Sequence, residues 1–239
     1  MRVPLPRLVP ASSTTTLRIA SRTAGAFLLA LLTWSQPLSG QAKPATADAS
    51  GMQRTALLDN DSVTLTRIRF APGAHETPHT HPFTLLVVQL DPGELDFLNG
   101  KAHASSLVDP GHVELVPRGV THAAANIGST PWDVMAVAVK GHGPLAGTAP
   151  GSGSPEARGV DARATLVTYA PLAPADAQTA KTSAVVIPLT AGRLYVSIGD
   201  DTTVEPYGPG DAIYLPKGVR HEVRDVGSEP MTAVWVDLP

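Results

Sequence analysis

Gly111–Asn126 reads GHVELVPRGVTHAAAN, and Gly210–Asp225 reads GDAIYLPKGVRHEVRD. The two stretches place a glycine, a proline, a Gly-Val pair and a histidine at the same positions, 99 residues apart. The register continues on both sides without a gap. Ala71-Pro72 matches Ala170-Pro171, Gly93 matches Gly192, and Gly128, Ser129 and Pro131 match Gly227, Ser228 and Pro230. Self-similarity at a fixed period means that one structural unit is used twice. The copies differ at one informative place: His79-Thr80-His81 in the first stands opposite Gln178-Thr179-Ala180 in the second.

Within each copy, apolar residues alternate or cluster in short runs bounded by Pro, Gly, Asn and Asp, and no long window keeps a 3.6-residue period. Thr64–Phe70, Thr84–Leu90, Glu94–Leu98, His112–Val116 and Val134–Val139 read as strands. Asn99-Gly100 is a hairpin turn, with Gly199-Asp200 at the same place in the second copy. Short strands at regular spacing predict an all-β chain in which each copy closes into an antiparallel sandwich or barrel.

The chain has 239 residues, and repeats from about Leu65 to Val139 and from Ala164 to Leu238 divide it into two small units. Ahead of them Arg2, Arg7, Arg18 and Arg22 flank an apolar core from Ala24 to Trp34, with no acidic residue before Asp48. That core is shorter than the roughly 20 apolar residues a spanning helix needs. Positive flank, apolar core and small residues at Gly40-Gln41-Ala42 read as a signal peptide cleaved after Ala42, an uncleaved anchor being the alternative. The expected organisation is a signal peptide at 1–42, a flexible leader at 43–54, a first barrel at 55–140, a linker at 141–163 and a second barrel at 164–239. Loss of four arginines leaves a mature net charge of −7, which argues against a nucleic-acid surface. With no cysteine, there is neither a disulfide framework nor a thiolate ligand or nucleophile. The chain is expected to be periplasmic or secreted, without stable membrane association after cleavage, with a homo-oligomer as one expected assembly.

Gly73, five intervening residues, His79-Thr80-His81 and then Gly93 are similar to the first sequence motif of the cupins. Gly111–Asn126 fits their second motif at every defining position, and Gly210–Asp225 fits it with Asp225 in place of the asparagine. The chain thus resembles a bicupin with a degenerate C-terminal copy. The resemblance implies two jelly-roll (double-stranded β-helix) barrels in tandem, packed side by side. One departure stands out: the glutamate expected four or five positions after the second histidine is Leu85 or Leu86.

His79 and His81 lie two apart on an expected strand, so both point to one face. His122 from a distant strand would complete a set of three nitrogen ligands for a divalent ion, with Fe, Mn, Ni, Cu or Zn as candidates. Three ligands on one side leave positions open, as in catalytic rather than structural sites. All three are neutral when bound, so the ion's charge stays uncompensated and favours an anionic or enolisable small molecule. His75 or Glu76, just before the strand, is an alternative source of the missing ligand. Arg67 and Arg69 alternate with Ile68 and Phe70, and either clamp a substrate carboxylate or form an outward polar face. His103, His112 and His142 read as surface or supporting residues, Asn126 as the closer of a turn, and His221 as a lone core histidine.

No cupin resemblance fixes an activity. The missing glutamate puts oxalate-type chemistry in doubt, and no helical DNA-binding module is visible. The leading expectation is an exported metal-dependent enzyme, a dioxygenase-like oxidoreductase. The alternatives are a non-catalytic metal- or small-ligand-binding protein and a metal-dependent lyase or isomerase.

Overall fold

In each copy the alternating and apolar runs are built as antiparallel strands, and no helix occurs among the described residues. The structure, a computed structural model, describes residues 50–145, 149 and 153–239 and the backbone of 46–47. The expected signal peptide and part of the expected leader lie outside the described residues. The first copy supplies β1 (Thr46–Ala47), β2 (Met52–Asp59), β3 (Val63–Phe70), β4 (His79–Thr80), β5 (Thr84–Gln89), β6 (Gly93–Asn99), β7 (Ala102–Val108), β8 (Val113–Val116), β9 (Thr121–Asn126) and β10 (Trp132–Val139). The second supplies β11 (Ser154–Arg158), β12 (Arg163–Tyr169), β13 (Gln178–Thr179), β14 (Ala184–Pro188), β15 (Gly192–Ile198), β16 (Asp201–Tyr207), β17 (Ile213–Leu215), β18 (Arg220–Asp225) and β19 (Met231–Asp237).

Each copy folds into two facing sheets. The first copy has the orders β1-β2-β3-β10-β5-β8 and β4-β9-β6-β7; the second has β11-β12-β19-β14-β17 and β13-β18-β15-β16. Asn99-Gly100 and Gly199-Asp200 join β6 to β7 and β15 to β16 as tight hairpins, with Gly100 and Gly199 in the left-handed region. Two expected boundaries differ from the structure. β11 lies inside the stretch read as a linker and pairs with β12 as the edge of the second barrel, while β1 and the start of β2 fall inside the expected leader. Both segments are poor in large apolar residues, so their edge pairing leaves little trace in a hydrophobic pattern.

Side-chain alternation explains why β5, β10, β14 and β19 are apolar nearly throughout. On β10, Trp132, Val134 and Ala136 fill the first barrel with Phe70, Leu85, Val87 and Leu95. Met135, Val137 and Val139 point the other way and meet Leu65, Leu86 and Val88, together with Val185, Ile187, Val234 and Val236 of the second copy. A strand covered on both faces reads as a continuous apolar run rather than an alternating one. The shared core holds seventeen buried residues, against twelve inside each barrel, so the packing between copies is the largest apolar cluster among the described residues. At about 1.5–3 kcal/mol for each fully buried Val, Leu or Ile, this contact is expected to couple the folding of the two barrels.

The first glycine of the repeated motif belongs to the same interface. Gly111 and Gly210 have φ of 92° and 95°, where side chains are rarely accommodated. A Cβ on Gly111 would stand 2.8 Å from Leu189 Cδ1 of the other copy, and one on Gly210 would collide with the Arg67 guanidinium. The glycine therefore answers to a turn and to the opposite barrel at once.

Candidate metal centre

β4 is only two residues long, but it pairs with β9 so that His79 lies directly opposite His122. Gly119 N–H donates to the His81 carbonyl at 3.0 Å, tying the chain just after β4 to the turn before β9. The structure thus brings together the three histidines singled out by the sequence. His79, His81 and His122 each offer a ring nitrogen within 4.8 Å of the others, and the ring centroids lie 4.4–5.1 Å apart.

The protonation pattern suits ligation. His79 Nδ1 lies 2.9 Å from the Thr77 carbonyl. A carbonyl only accepts, so Nδ1 carries the proton and the Nε2 lone pair faces the cluster, 3.0 Å from His81 Nε2. His122 is 3 % exposed, and neither of its ring nitrogens has a hydrogen-bond partner. Burial, reinforced by His79 and His81, pulls its pKa down to about 4, and burial followed by His79 lowers that of His81. His122 is therefore held neutral near pH 7. An unpartnered buried nitrogen costs about 1–3 kcal/mol, and a coordinated cation would remove that cost at the nitrogen it binds. The donor set and the orphaned His122 nitrogens fit a divalent metal ion.

Around the cluster lies a cavity of about 300 Å³. Its walls are mainly apolar, with Phe70, Leu85, Phe97 and Trp132 prominent, and Arg54 and Glu76 bring opposite charges to it. Their side chains meet at 3.3 Å. Burial raises the Glu76 carboxyl, with His79 and Arg54 pulling the other way. Arg54 escaped the sequence reading because it lies in the stretch read as leader.

The expected departure from the glutamate-containing pattern resolves to a single residue. Leu85 lines the cavity, whereas Leu86 points into the core between the barrels. Of the two expected positions, Leu85 therefore occupies the inward one, as the alternation of β5 requires. Neither His75 nor Glu76 joins the three-nitrogen cluster among the described residues. His75 is exposed and bridges Ala125 through its backbone, while Glu76 stays with Arg54.

The remaining sequence candidates lie elsewhere. Arg67 and Arg69 sit on the face of β3 turned away from the cavity, and both bind the buried Asp133 carboxylate, at 2.6 and 2.9 Å. The clamp alternative is thus excluded for the cavity, since residues 64, 66, 68 and 70 of β3 line it instead. His103 pairs with Asp96, His112 lies near Glu114 and His142 near Asp161. Asn126 closes a turn as expected: its amide nitrogen donates to the carbonyls of Phe70 and Thr130, and its oxygen accepts from Gly128 N–H. In the second copy Gln178 pairs with His221, and no second group of potential metal ligands occurs among the described residues.

Comparison with known proteins agrees with this architecture. A family profile described as cupin domain matches residues 166–237, the copy that lacks the histidine pair. A germin-like protein (subfamily 2 member 2) of Arabidopsis thaliana is 31% identical over 108 residues, covering 41% of this chain and 49% of that protein. Nectarin-1 of Nicotiana plumbaginifolia is 36% identical over 81 residues, or 33% of this chain and 35% of that protein. The chain therefore matches half or less of the length of these relatives. Among solved structures, AerE from Microcystis aeruginosa superposes with a TM-score of 0.68 at 15% identity, covering 83% of this chain and 97% of that one. A Lactobacillus farciminis oxalate decarboxylase, solved as a formate complex, superposes with a TM-score of 0.62 at 10% identity, covering 82% and 83%. Motif, duplicated all-β fold, family profile and structural neighbours agree, and the chain belongs to the cupin superfamily with a bicupin arrangement.

Proposed function

We propose that the first barrel is the active site of an exported metal-dependent enzyme, a dioxygenase-like oxidoreductase acting on a small anionic or enolisable substrate. The observation that carries this reading is the convergence of His79, His81 and His122 on one cavity, with the buried His122 nitrogens unpartnered and no carboxylate in the cluster. A divalent ion held there, from among Fe, Mn, Ni, Cu and Zn, supplies Lewis acidity and, where redox-active, access to dioxygen chemistry. The chain's own residues do the rest. The apolar walls exclude bulk water and strengthen every charge interaction inside. Arg54, paired with Glu76, holds that carboxylate at the cavity wall. Glu76, with its carboxyl raised by burial, takes and returns a proton at a carbon next to a carbonyl. Three neutral imidazoles leave the site cationic once loaded, which favours a substrate that brings its own negative charge.

Elemental analysis of purified protein with an oxygen-uptake screen tests this. One ion per chain is expected, lost in His122→Ala and kept in His221→Ala. Two ions per chain, or metal that survives His122→Ala, refute the assignment; zinc or no oxygen uptake moves the reading to a lyase, an isomerase or a ligand-binding protein. Export rests on the charge and apolar pattern of residues 1–42. N-terminal sequencing of the exported protein should begin near Lys43, and an intact Met1 refutes export by this route.

A further inference from the structure

The second barrel has its own cavity, of about 350 Å³, lined among others by Tyr169, Gln178, His221 and Trp235. At the fixed offset of the repeat, Gln178 occupies the position of His79, Ala180 that of His81 and His221 that of His122. The cavity has thus kept one imidazole and lost the metal set. It has also gained a polar group. Phe70 of the first barrel becomes Tyr169, 9 % exposed, whose hydroxyl is buried without a hydrogen-bond partner. An orphaned buried hydroxyl destabilises the empty fold, and phenylalanine at the same place in the first barrel shows that the architecture does not require it.

The other groups narrow the chemistry. His221 Nδ1 lies 3.4 Å from the Val219 carbonyl, so that nitrogen donates and Nε2 is left as an acceptor. Burial lowers the His221 pKa and raises that of Tyr169, so these two lining residues are uncharged at neutral pH. Trp235, its ring 6.2 Å from that of His221, and Val167 and Val223 supply apolar walls. Glu222 and Arg224 neutralise each other at 2.9 Å, and Asp176 is exposed on the lining, which disfavours anions. Asp225 also lines the cavity: one of its oxygens is held by Gly227 N–H in a turn and the other is buried without a partner, a further acceptor that disfavours anions.

We propose that the second barrel is a metal-independent binding site for a small uncharged molecule with an apolar ring and a hydroxyl group, of the phenol class, recognised through Tyr169 and His221 against Trp235. The site is separate from the metal centre and does not depend on the reading of the first barrel. It would give the chain a second ligand, a product or an effector, distinguished from the first by its lack of charge.

Isothermal titration of the full-length mature protein with phenol, toluene and benzoate tests the proposal. Phenol should bind one per chain and about 5-fold or more tighter than toluene, the difference expected of one satisfied buried hydroxyl, and benzoate should bind more weakly than phenol. Tyr169→Phe, which installs the first barrel's own residue, should erase the preference for phenol over toluene and raise the melting temperature of the ligand-free protein by about 2–6 °C. His221→Gln should weaken phenol by a similar factor, and His122→Ala should leave it unchanged. Absence of saturable phenol binding, equal affinity for toluene, tighter benzoate, or a phenol preference that survives Tyr169→Phe or disappears in His122→Ala would each overturn it.

Discussion

Asp225→Asn should make this protein more stable. At the equivalent position of the first barrel Asn126 is fully used: its amide nitrogen donates to Phe70 O at 3.2 Å and Thr130 O at 2.8 Å, and its oxygen accepts from Gly128 N–H at 3.0 Å. Asp225 keeps only the last of these, accepting from Gly227 N–H at 2.7 Å. Its other oxygen is buried and unpartnered, and the residue is 1 % exposed. The repeat aligns the carbonyls of Tyr169 and Glu229 with those that Asn126 serves, so an acceptor has replaced a donor where two carbonyls ask for N–H groups. Removing a buried unsatisfied oxygen is worth about 1–3 kcal/mol, and each hydrogen bond regained about 0.5–1.5 kcal/mol. Allowing for overlap between the two effects, the net gain is about 2 kcal/mol, or a rise of roughly 4–8 °C in melting temperature for a chain of this size. Thermal and urea unfolding followed by circular dichroism measure it, the urea midpoint rising at constant slope. Asn126→Asp should lose a similar amount. Unchanged or lowered stability in Asp225→Asn refutes the reasoning, because it means that the Asp225 carboxylate already has partners equal to those of the amide.

Two further outcomes follow from the described geometry. His122 is held neutral down to about pH 4, whereas an unfolded histidine takes up its proton near its ordinary value of 6.5, so the metal-free protein should lose stability as the pH falls from 6.5 toward 4; melting scans across that range should show a smaller loss in His122→Ala, and an equal loss removes His122 as the cause. Because the largest apolar cluster is shared between the copies, residues 55–140 and 160–239 expressed separately should each be markedly less stable than the whole, or insoluble; two soluble halves, each with the full chain's melting temperature, refute the role given to the shared core.

Where a strand is amphipathic or apolar the sequence announced it, as for β3, β5, β6, β8 and β10. β7 went unread because Ala102–Leu107 is exposed on both faces and its small and polar residues carry no period. β9 alternates with alanines too small to signal, and only His122 placed a strand there. The histidine pair was legible because a two-residue spacing on a strand fixes a face whatever the fold around it. The choice between Leu85 and Leu86 was not, since β5 is buried on both faces and only the observed register assigns each side chain to the cavity or to the interface. Arg67 and Arg69 were ambiguous for a related reason: their partner, Asp133, lies 66 and 64 residues along the chain, and no local pattern reports a contact of that range.

The divergence of the copies follows from where each histidine sits. The positions of His79 and His81 lie on or beside a two-residue strand at the edge of the smaller sheet, and in the second copy Gln178 and Thr179 are exposed. Exchanging such residues costs the fold almost nothing. His122 and His221 instead lie inside their barrels at 3 % and 8 % exposure, where replacement opens a cavity. Gly210 is held by the other barrel through Arg67, and the strands that carry the shared core have no freedom to degrade, because the first barrel rests on them. A duplicated unit under these constraints sheds its edge ligands and keeps its interior histidine, its turn glycines and its interface. The match of the cupin profile to 166–237, the copy without the histidine pair, is the same separation seen from the sequence. Fold and metal chemistry are written in different residues, so the second barrel is free to change what it binds while still holding the first in shape.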